Sequence, residues 1–267
     1  MVNYVVLLII SLIIISIVSG ISSPLMTISK IIMLGLAFLH AVFAGALIGI
    51  LLKYSINLGI PTPIASITFT IILSLVAAEL VERGFPTDSA VATIAAISTS
   101  LIATLGFIVS RISPIALSEA WSYVVGVSSL ISLRDLFIIV SASIIILPLF
   151  LMFNKEFMFI AFDEDSARAY GLRVRLYRYL LYSLCGLTSA ILAMVLGIFV
   201  AHIILVVPGV FALKAGKGKL FRVSLAVCLT STLLGYFLAY LLNIPASGGI
   251  GIVSTFMLIA IYVLKRG

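Results

Sequence analysis

Charge is what this sequence has least of. Of its 267 residues, 16 are Lys or Arg and nine are Asp or Glu, and 63% are hydrophobic. A soluble domain carries about 25% charged residues, so this chain has too few charges to cover a water-exposed surface. The sequence therefore predicts an integral membrane protein. Its long apolar runs favour membrane-spanning helices over the alternating strands of a β-barrel.

Several chemical motifs are also missing. The two cysteines, Cys185 and Cys228, lie in apolar runs without the spacing of metal ligands. There is no GxxxxGK[ST] motif, so the chain has no Walker site for ATP, and no bound cofactor is expected. The net charge is +7, but the basic residues form no patch interleaved with aromatic residues. No nucleic-acid partner is therefore predicted. Clustered catalytic acids and Ser/His pairs are lacking as well, which disfavours a membrane enzyme.

Apolar windows of about 20 residues predict an all-α polytopic bundle of eight to nine spans, forming a single transmembrane domain over 1–267. The segment 114–133 contains Glu119, Trp121 and Tyr123 and is interrupted by polar residues, which predicts an interfacial or re-entrant segment. Trp121 is expected to anchor at the interface, and Glu119 is a candidate contact for a substrate-delivery protein. The predicted spans are 3–21, 31–52, 63–80, 89–110, 135–153, 177–195, 197–213, 221–242 and 248–264.

The basic residues give this set of spans an orientation. If the loop at 155–178 is cytoplasmic, 13 Lys and Arg lie inside, and only Lys53, Arg111 and Arg134 lie outside. Since Lys and Arg collect in cytoplasmic loops, this orientation is predicted, with the C-terminus inside and the N-terminus outside. A second loop, with Glu79, Glu82, Arg83 and Asp88, is then also cytoplasmic. Its charges are expected to be solvated, or Asp88 to cap the helix that follows.

The loop at 155–178 concentrates nine of the charged residues in an otherwise apolar chain. Asp163 is suited to an N-cap, and Glu164 and Asp165 favour the positive end of a helix. Gly171 is suited to the position after a helix C-terminus, where a left-handed conformation is needed. A helix of about two turns from Glu164 to Tyr170 is predicted. So short a helix is marginal in water unless it packs against something.

Five motifs occur in order along nearly the whole chain, from about residue 30 to 262. They are LHAVFAG (39–45), SYVVGVSSLISLRDL (122–136), DEDSARAYGL (163–172), GIFVAHIILVVPGVFALK (197–214) and IPASGG (244–249). Each motif is weak alone, but their order and spacing resemble the ABC importer permeases for zinc, manganese and iron. DEDSARAYGL in particular resembles the coupling-helix segment of ABC permeases.

The resemblance implies a transport mechanism and the partner proteins that take part in it. The coupling helix, with Asp163, Glu164, Asp165, Arg168 and Gly171, would dock on a cytoplasmic ABC ATPase subunit. An extracytoplasmic metal-binding protein would deliver a divalent metal ion. A second permease copy would complete the path as a homodimer in the cell membrane, surrounded by lipid. ATP hydrolysis would then take place on the partner chain, and this chain would catalyse no bond chemistry.

The two histidines, His40 and His202, both lie in predicted spans and are candidates for the ion path, with His40 as a metal ligand. His40 matches the family's early-span motif, whereas relatives tend to have small polar residues at the position of His202. A histidine hydrogen-bonded to a neighbouring helix is the alternative for both. Two departures stand out. The family's Asp four residues before the histidine is Leu36 here, and its Pro before the glycine is Ala44, so the motif does not identify the metal.

Other functions remain open from the sequence alone. A permease for chelated iron or cobalamin shares the Ala/Gly coupling segment, although such permeases are usually longer. A stand-alone secondary transporter or channel would need ionisable residues deep in its spans, and apart from the histidines this chain has almost none.

Overall fold

Helices form every regular element in the described part of the chain. The computed structural model describes residues 4–55, 57–126, 132–215 and 217–263. A short 3₁₀ turn covers Lys217–Lys219. The helices are α1 (Tyr4–Ile28), α2 (Ile32–Ser55), α3 (Thr62–Glu82), α4 (Thr87–Ile112), α5 (Pro114–Val125), α6 (Leu133–Met152), α7 (Asn154–Phe162), α8 (Glu164–Ala169), α9 (Val174–Ala215), α10 (Leu220–Leu242) and α11 (Ala246–Val263).

Seven of these helices are long enough and apolar enough to span a membrane. Within α11, a shorter apolar helix covers Ala246–Ala260. A helix of about 20 residues crosses the hydrocarbon core because each residue adds about 1.5 Å. The longest of the seven, α9, consists of two arms that meet at Gly197. If the two arms of α9 are counted separately and α11 is included, nine helices of the described chain match the nine predicted spans in order. The all-α polytopic fold is confirmed. Residues 3 and 264, at the ends of two predicted spans, lie outside the described residues.

A reversal at Gly197 divides α9 into an outward arm, residues 174–196, and a return arm, residues 198–215. Gly197 has φ 74° and ψ 163°, which no helical residue has. The chain turns back at this point, because residues from both arms lie beside Gly35 of α2. A Cβ built there would lie 3.2 Å from Cys185 Sγ on the outward arm and 2.7 Å from Leu205 Cδ2 on the return arm. In a straight helix those two residues would be about 30 Å apart.

The first helix is longer than predicted. The span expected over 3–21 continues to Ile28, although its second half is rich in serine and contains Pro24. The serines of this half are buried, and Ser19 and Ser23 form hydrogen bonds to the backbone of the return arm. Burial against a neighbouring helix thus overrides the weak helix propensity of serine.

Pro208 explains why serines are needed at this contact. A proline inside a helix has no N–H, so the carbonyl of residue 204 loses its partner. The Ser19 hydroxyl donates to the Ile204 carbonyl at 2.8 Å. One turn on, Ser23 Oγ donates to the Leu205 carbonyl at 2.5 Å and accepts from the Gly209 N–H at 2.8 Å. The kinked part of the return arm therefore depends on α1 for its hydrogen bonds.

Replacing Ser23 by alanine should destabilise the protein. The change leaves a buried N–H and a buried carbonyl without their partner, at a cost of about 1–3 kcal/mol. The matched control is Ser22→Ala, because Ser22 is equally buried and its hydroxyl has no partner among the described residues. Thermal unfolding of the purified protein in detergent should show a lower midpoint for Ser23→Ala only. Equal midpoints for both variants would contradict this account.

The segment predicted as interfacial or re-entrant contains helix α5, and the part at 127–131 lies outside the described residues. Ala116 and Ala120 pack with Leu47 and Ile50 of α2. At its end, the backbone of Gly126 meets Gly197, where α9 reverses. The helix therefore runs from the Lys53 end of α2 to the reversal of α9. Its interfacial or re-entrant placement in the membrane stays a prediction.

Candidate functional site

The predicted coupling helix is present as α8, and both of its predicted caps are confirmed. The Asp163 carboxylate accepts a hydrogen bond from the Ser166 backbone N–H at 2.9 Å. At the other end Gly171 has φ 84°, and its N–H donates to the Arg168 carbonyl. The Leu172 N–H donates to the Ala167 carbonyl, which completes a Schellman motif. The residues expected to carry coupling therefore lie on one ordered element.

Electrostatics keep the acids of α8 charged. Hydrogen bonds from the Ser166 hydroxyl and backbone hold the pKa of Asp163 below its ordinary value. Burial by itself would raise the pKa of Glu164, but hydrogen bonds from Arg168 and Arg178 outweigh it and lower that pKa. The Arg168–Glu164 pair spans one helical turn at 2.7 Å. At neutral pH this surface therefore carries fixed charges. Asp165 and Arg168 are exposed, as an ATPase contact requires.

The helix just before α8 was not predicted. α7 follows α6 after a single residue and places Phe157 in the interior, against Phe150, Phe153 and Tyr177. Part of the loop at 155–178 is therefore packed, and α8 is presented on a fixed support. The signal in the sequence was the run of Phe157, Met158, Phe159 and Ile160, which is too apolar for a solvated loop.

The prediction that the second cytoplasmic loop is simply solvated is wrong for Glu79 and Glu82. Arg175 donates to Glu79 at 3.2 Å, and the Tyr179 hydroxyl donates to the same carboxylate. Arg178 pairs with Glu82 and also with Glu164 of α8. The signal in the sequence was the equal spacing of the two acids and the two bases. Residues three apart lie on one face of a helix, so two such faces can pair when the helices pack together.

The cap proposed for Asp88 is also wrong. Helix α4 begins at Thr87, directly after Pro86, and Asp88 lies within its first turn. An acid in the first turn still favours the positive end of the helix dipole. It does so without a side-chain cap hydrogen bond, because proline occupies the cap position.

The two histidines, far apart in sequence, are brought together in the fold. The ring centroids of His40 on α2 and His202 on the return arm are 5.6 Å apart, with an angle of 79° between the ring planes. Each Nδ1 is within hydrogen-bond distance of the carbonyl four residues earlier in its own helix, Leu36 for His40 and Ile198 for His202. The reversal at Gly197 creates this pair, because it carries residue 202 back beside α2.

These contacts determine what the imidazoles can do. A carbonyl only accepts hydrogen bonds, so Nδ1 is the protonated nitrogen of each neutral ring. Nε2 then retains its lone pair, which is the form that binds transition metals. No group of three or more His, Cys, Asp or Glu side chains suited to a metal occurs in the described residues. Two nitrogens make an open site, unlike the closed four-ligand sites that hold structural zinc.

Glu119 lies at the opposite end of the bundle from α8, and it is tied to the chain itself. Its carboxylate accepts hydrogen bonds from Lys53 at 2.8 Å, Thr62 at 2.6 Å and Tyr54 at 3.2 Å. These bonds join α5 to α2 and α3, so the residue has a structural role. Contact with a delivery protein stays a prediction. Trp121 is exposed on the same helix, in agreement with an interfacial anchor.

Comparison with known proteins places this architecture in a family. The model of the ABC 3 transport family matches residues 1–265. The manganese import system permease protein ScaB of Streptococcus gordonii is 25% identical over 92% of this chain and 85% of its own length. The manganese transport system membrane protein MntC of Listeria innocua is 26% identical over 50% of this chain, and the matched part spans about half of that relative.

A solved structure extends the likeness to the fold. PsaBC from Streptococcus pneumoniae in complex with Fab superposes with a TM-score of 0.78 at 25% identity, covering 96% of this chain and 90% of that one. The resemblance inferred from the five motifs is thereby confirmed. This multi-pass membrane protein belongs to the ABC 3 transport family.

Proposed function

We propose that this chain is the membrane-spanning permease subunit of an ATP-driven ABC importer for a divalent transition metal ion such as manganese, zinc or iron. A binding protein delivers the ion to the outer face, and two copies of the permease enclose its path. Two ATPase subunits dock on the α8 helices and drive the change between outward-open and inward-open states.

The His40–His202 pair is the observation that carries the metal assignment. The two rings lie 5.6 Å apart with Nε2 left free to bind a metal on each, and imidazole is a ligand that suits zinc and iron. A site of two neutral ligands binds weakly enough to release its ion, which a transporter must do. The relatives named as manganese permeases support the same class of cargo.

Support for ATP coupling comes from the other end of the molecule. A six-residue helix is too short to be stable alone, yet α8 is capped at both ends and is held to the bundle by the ion pair between Glu164 and Arg178. Its charged face points away from the chain. An ordered, charged surface of this kind suits a soluble protein partner, and the chain has no Walker motif of its own.

His40→Ala and His202→Ala test the ion path. Each change removes one of two ligands, so Mn²⁺ uptake into proteoliposomes containing the complex should fall about tenfold or more, since a metal ligand is worth over 1.4 kcal/mol. The ATPase should still copurify, because the pair lies away from α8. Zn²⁺ and Fe²⁺ are measured in parallel to identify the cargo.

Cys228→Ala provides the control for this experiment. Cys228 is another buried side chain of a metal-binding type, but it lies outside the histidine pair. Its loss should leave uptake unchanged. Undiminished uptake by both histidine variants would refute the ion-path assignment, and uptake by the wild type without ATP would favour the stand-alone transporter.

A further inference from the structure

One arginine joins the coupling helix to two spans. Arg178 lies near the start of the outward arm of α9. One of its terminal nitrogens donates to Glu82 at the end of α3, and the other donates to Glu164 of α8 at 2.5 Å. The planar guanidinium suits this task, because its fixed fork of donors can hold two carboxylates at once.

The environment of this contact differs from that of the other ion pairs nearby. The side chains of Arg178 and Glu82 are only 10% and 12% exposed, whereas those of Arg175 and Glu79 are 68% and 33% exposed. Water screens exposed pairs strongly and buried pairs much less. The Arg178–Glu82 pair is therefore less screened by water than the Arg175–Glu79 pair, and Glu164, whose side chain is 38% exposed, extends the contact to α8.

Both helices that Arg178 joins to α8 lead to the histidine pair. The outward arm continues to Gly197, where the chain reverses into the arm that carries His202. Helix α3 packs along α2, which carries His40, and Gly45 of α2 lies against Ser66 of α3. A displacement of Glu164 thus has a route to each histidine. It passes through the partly exposed Glu164–Arg178 contact, the largely buried Arg178–Glu82 pair and the helices themselves.

We propose that Arg178 is the positioning residue that transmits movement of the ATPase-docked helix α8 to the spans bearing the two histidines. This inference rests on the proposed function, because it presupposes that α8 docks on an ATPase. Arg178 itself contacts neither the ion nor ATP. It acts by keeping Glu164 and Glu82 in register, so that α8, α3 and the outward arm move as one body.

Arg178→Gln tests the inference in the complex of this chain with its ATPase and binding protein, reconstituted into proteoliposomes. The amide cannot hold two carboxylates, so the number of Mn²⁺ ions taken up per ATP hydrolysed should fall on the order of tenfold, within the usual range of coupling between sites. Glu164→Gln breaks the same contact from the α8 side. It keeps the test decisive if Arg178→Gln does not fold.

Arg175→Gln is the matched control. Arg175 lies one turn before Arg178 on the same helix and also pairs with an acid of α3, but its pair does not include α8. Its coupling ratio should stay within about twofold of the wild type, since exposed pairs contribute little. Equal losses in Arg175→Gln and Arg178→Gln, or no loss in either, would overturn the proposal.

Arg178→Lys separates transmission from simple stabilisation. Lysine keeps the charge but lacks the fixed planar fork of guanidinium donors, so it holds the two carboxylates in a looser geometry. We expect it to restore the thermal midpoint of the complex while the coupling ratio stays low. If the ratio recovers together with the midpoint, Arg178 is merely structural. If the wild type shows no ATP-dependent Mn²⁺ uptake, that result refutes the proposed function, and the proposed role of Arg178 is refuted with it.

Discussion

Replacing Gly197 with valine should abolish folding of the protein. At φ 74° a β-branched residue is strained by roughly 1–3 kcal/mol, and there is no room for a side chain. A Cβ at this position would lie 2.3 Å from the Gly126 nitrogen and 2.5 Å from the Val125 carbonyl carbon. Because these are backbone atoms, no rotamer change relieves the clash. We expect almost no monodisperse protein in detergent, measured by size-exclusion chromatography.

The control is Gly59→Val in the connection between α2 and α3. A Cβ there meets nothing within 4 Å, and the backbone conformation is an ordinary one. This variant should be recovered at the wild-type level. Recovery of Gly197→Val with an unchanged melting temperature would show that α5 and the turn of α9 do not approach so closely, and the placement of His202 beside α2 would lose its basis.

Replacing Gly171 with valine should uncouple ATP hydrolysis from uptake while the complex still assembles. Gly171 also has a left-handed conformation, at φ 84°, but a Cβ there meets nothing within 4 Å. The change therefore strains only the Schellman motif that ends α8 and shifts the chain leading into α9. With about 1–2 kcal/mol of strain at this joint, uptake per ATP should fall about tenfold.

Asn243→Val separates coupling from general destabilisation. Asn243 is exposed at the end of α10 and also has a left-handed conformation, at φ 55°. Its valine variant suffers a comparable strain, but α10 is not among the helices that Arg178 joins, so it should lose some stability and keep its coupling ratio. Gly171→Asn should recover much of the coupling, because asparagine tolerates the left-handed region. Normal uptake by Gly171→Val would refute the role of this joint.

The candidate sites were predictable to different degrees. The caps of α8 were predictable because an N-cap and a C-terminal glycine act within a few residues of sequence. The partners of Glu79 and Glu82 were missed, because Arg175 and Arg178 are almost 100 residues away and only helix packing aligns them. The extension of α1 beyond residue 21 was missed for the same reason, since the carbonyl that Ser23 satisfies belongs to the return arm.

The sequence by itself determined that this protein is a multi-pass helical membrane protein, and it determined where helix α8 begins and ends. Hydrophobicity and capping act locally, so a linear pattern is enough to specify them. Only the tertiary structure decided that His40 and His202 form a pair and that Arg178 joins three helices. Both depend on the reversal at Gly197 and on the packing of α3 against α9, where residues distant in sequence meet.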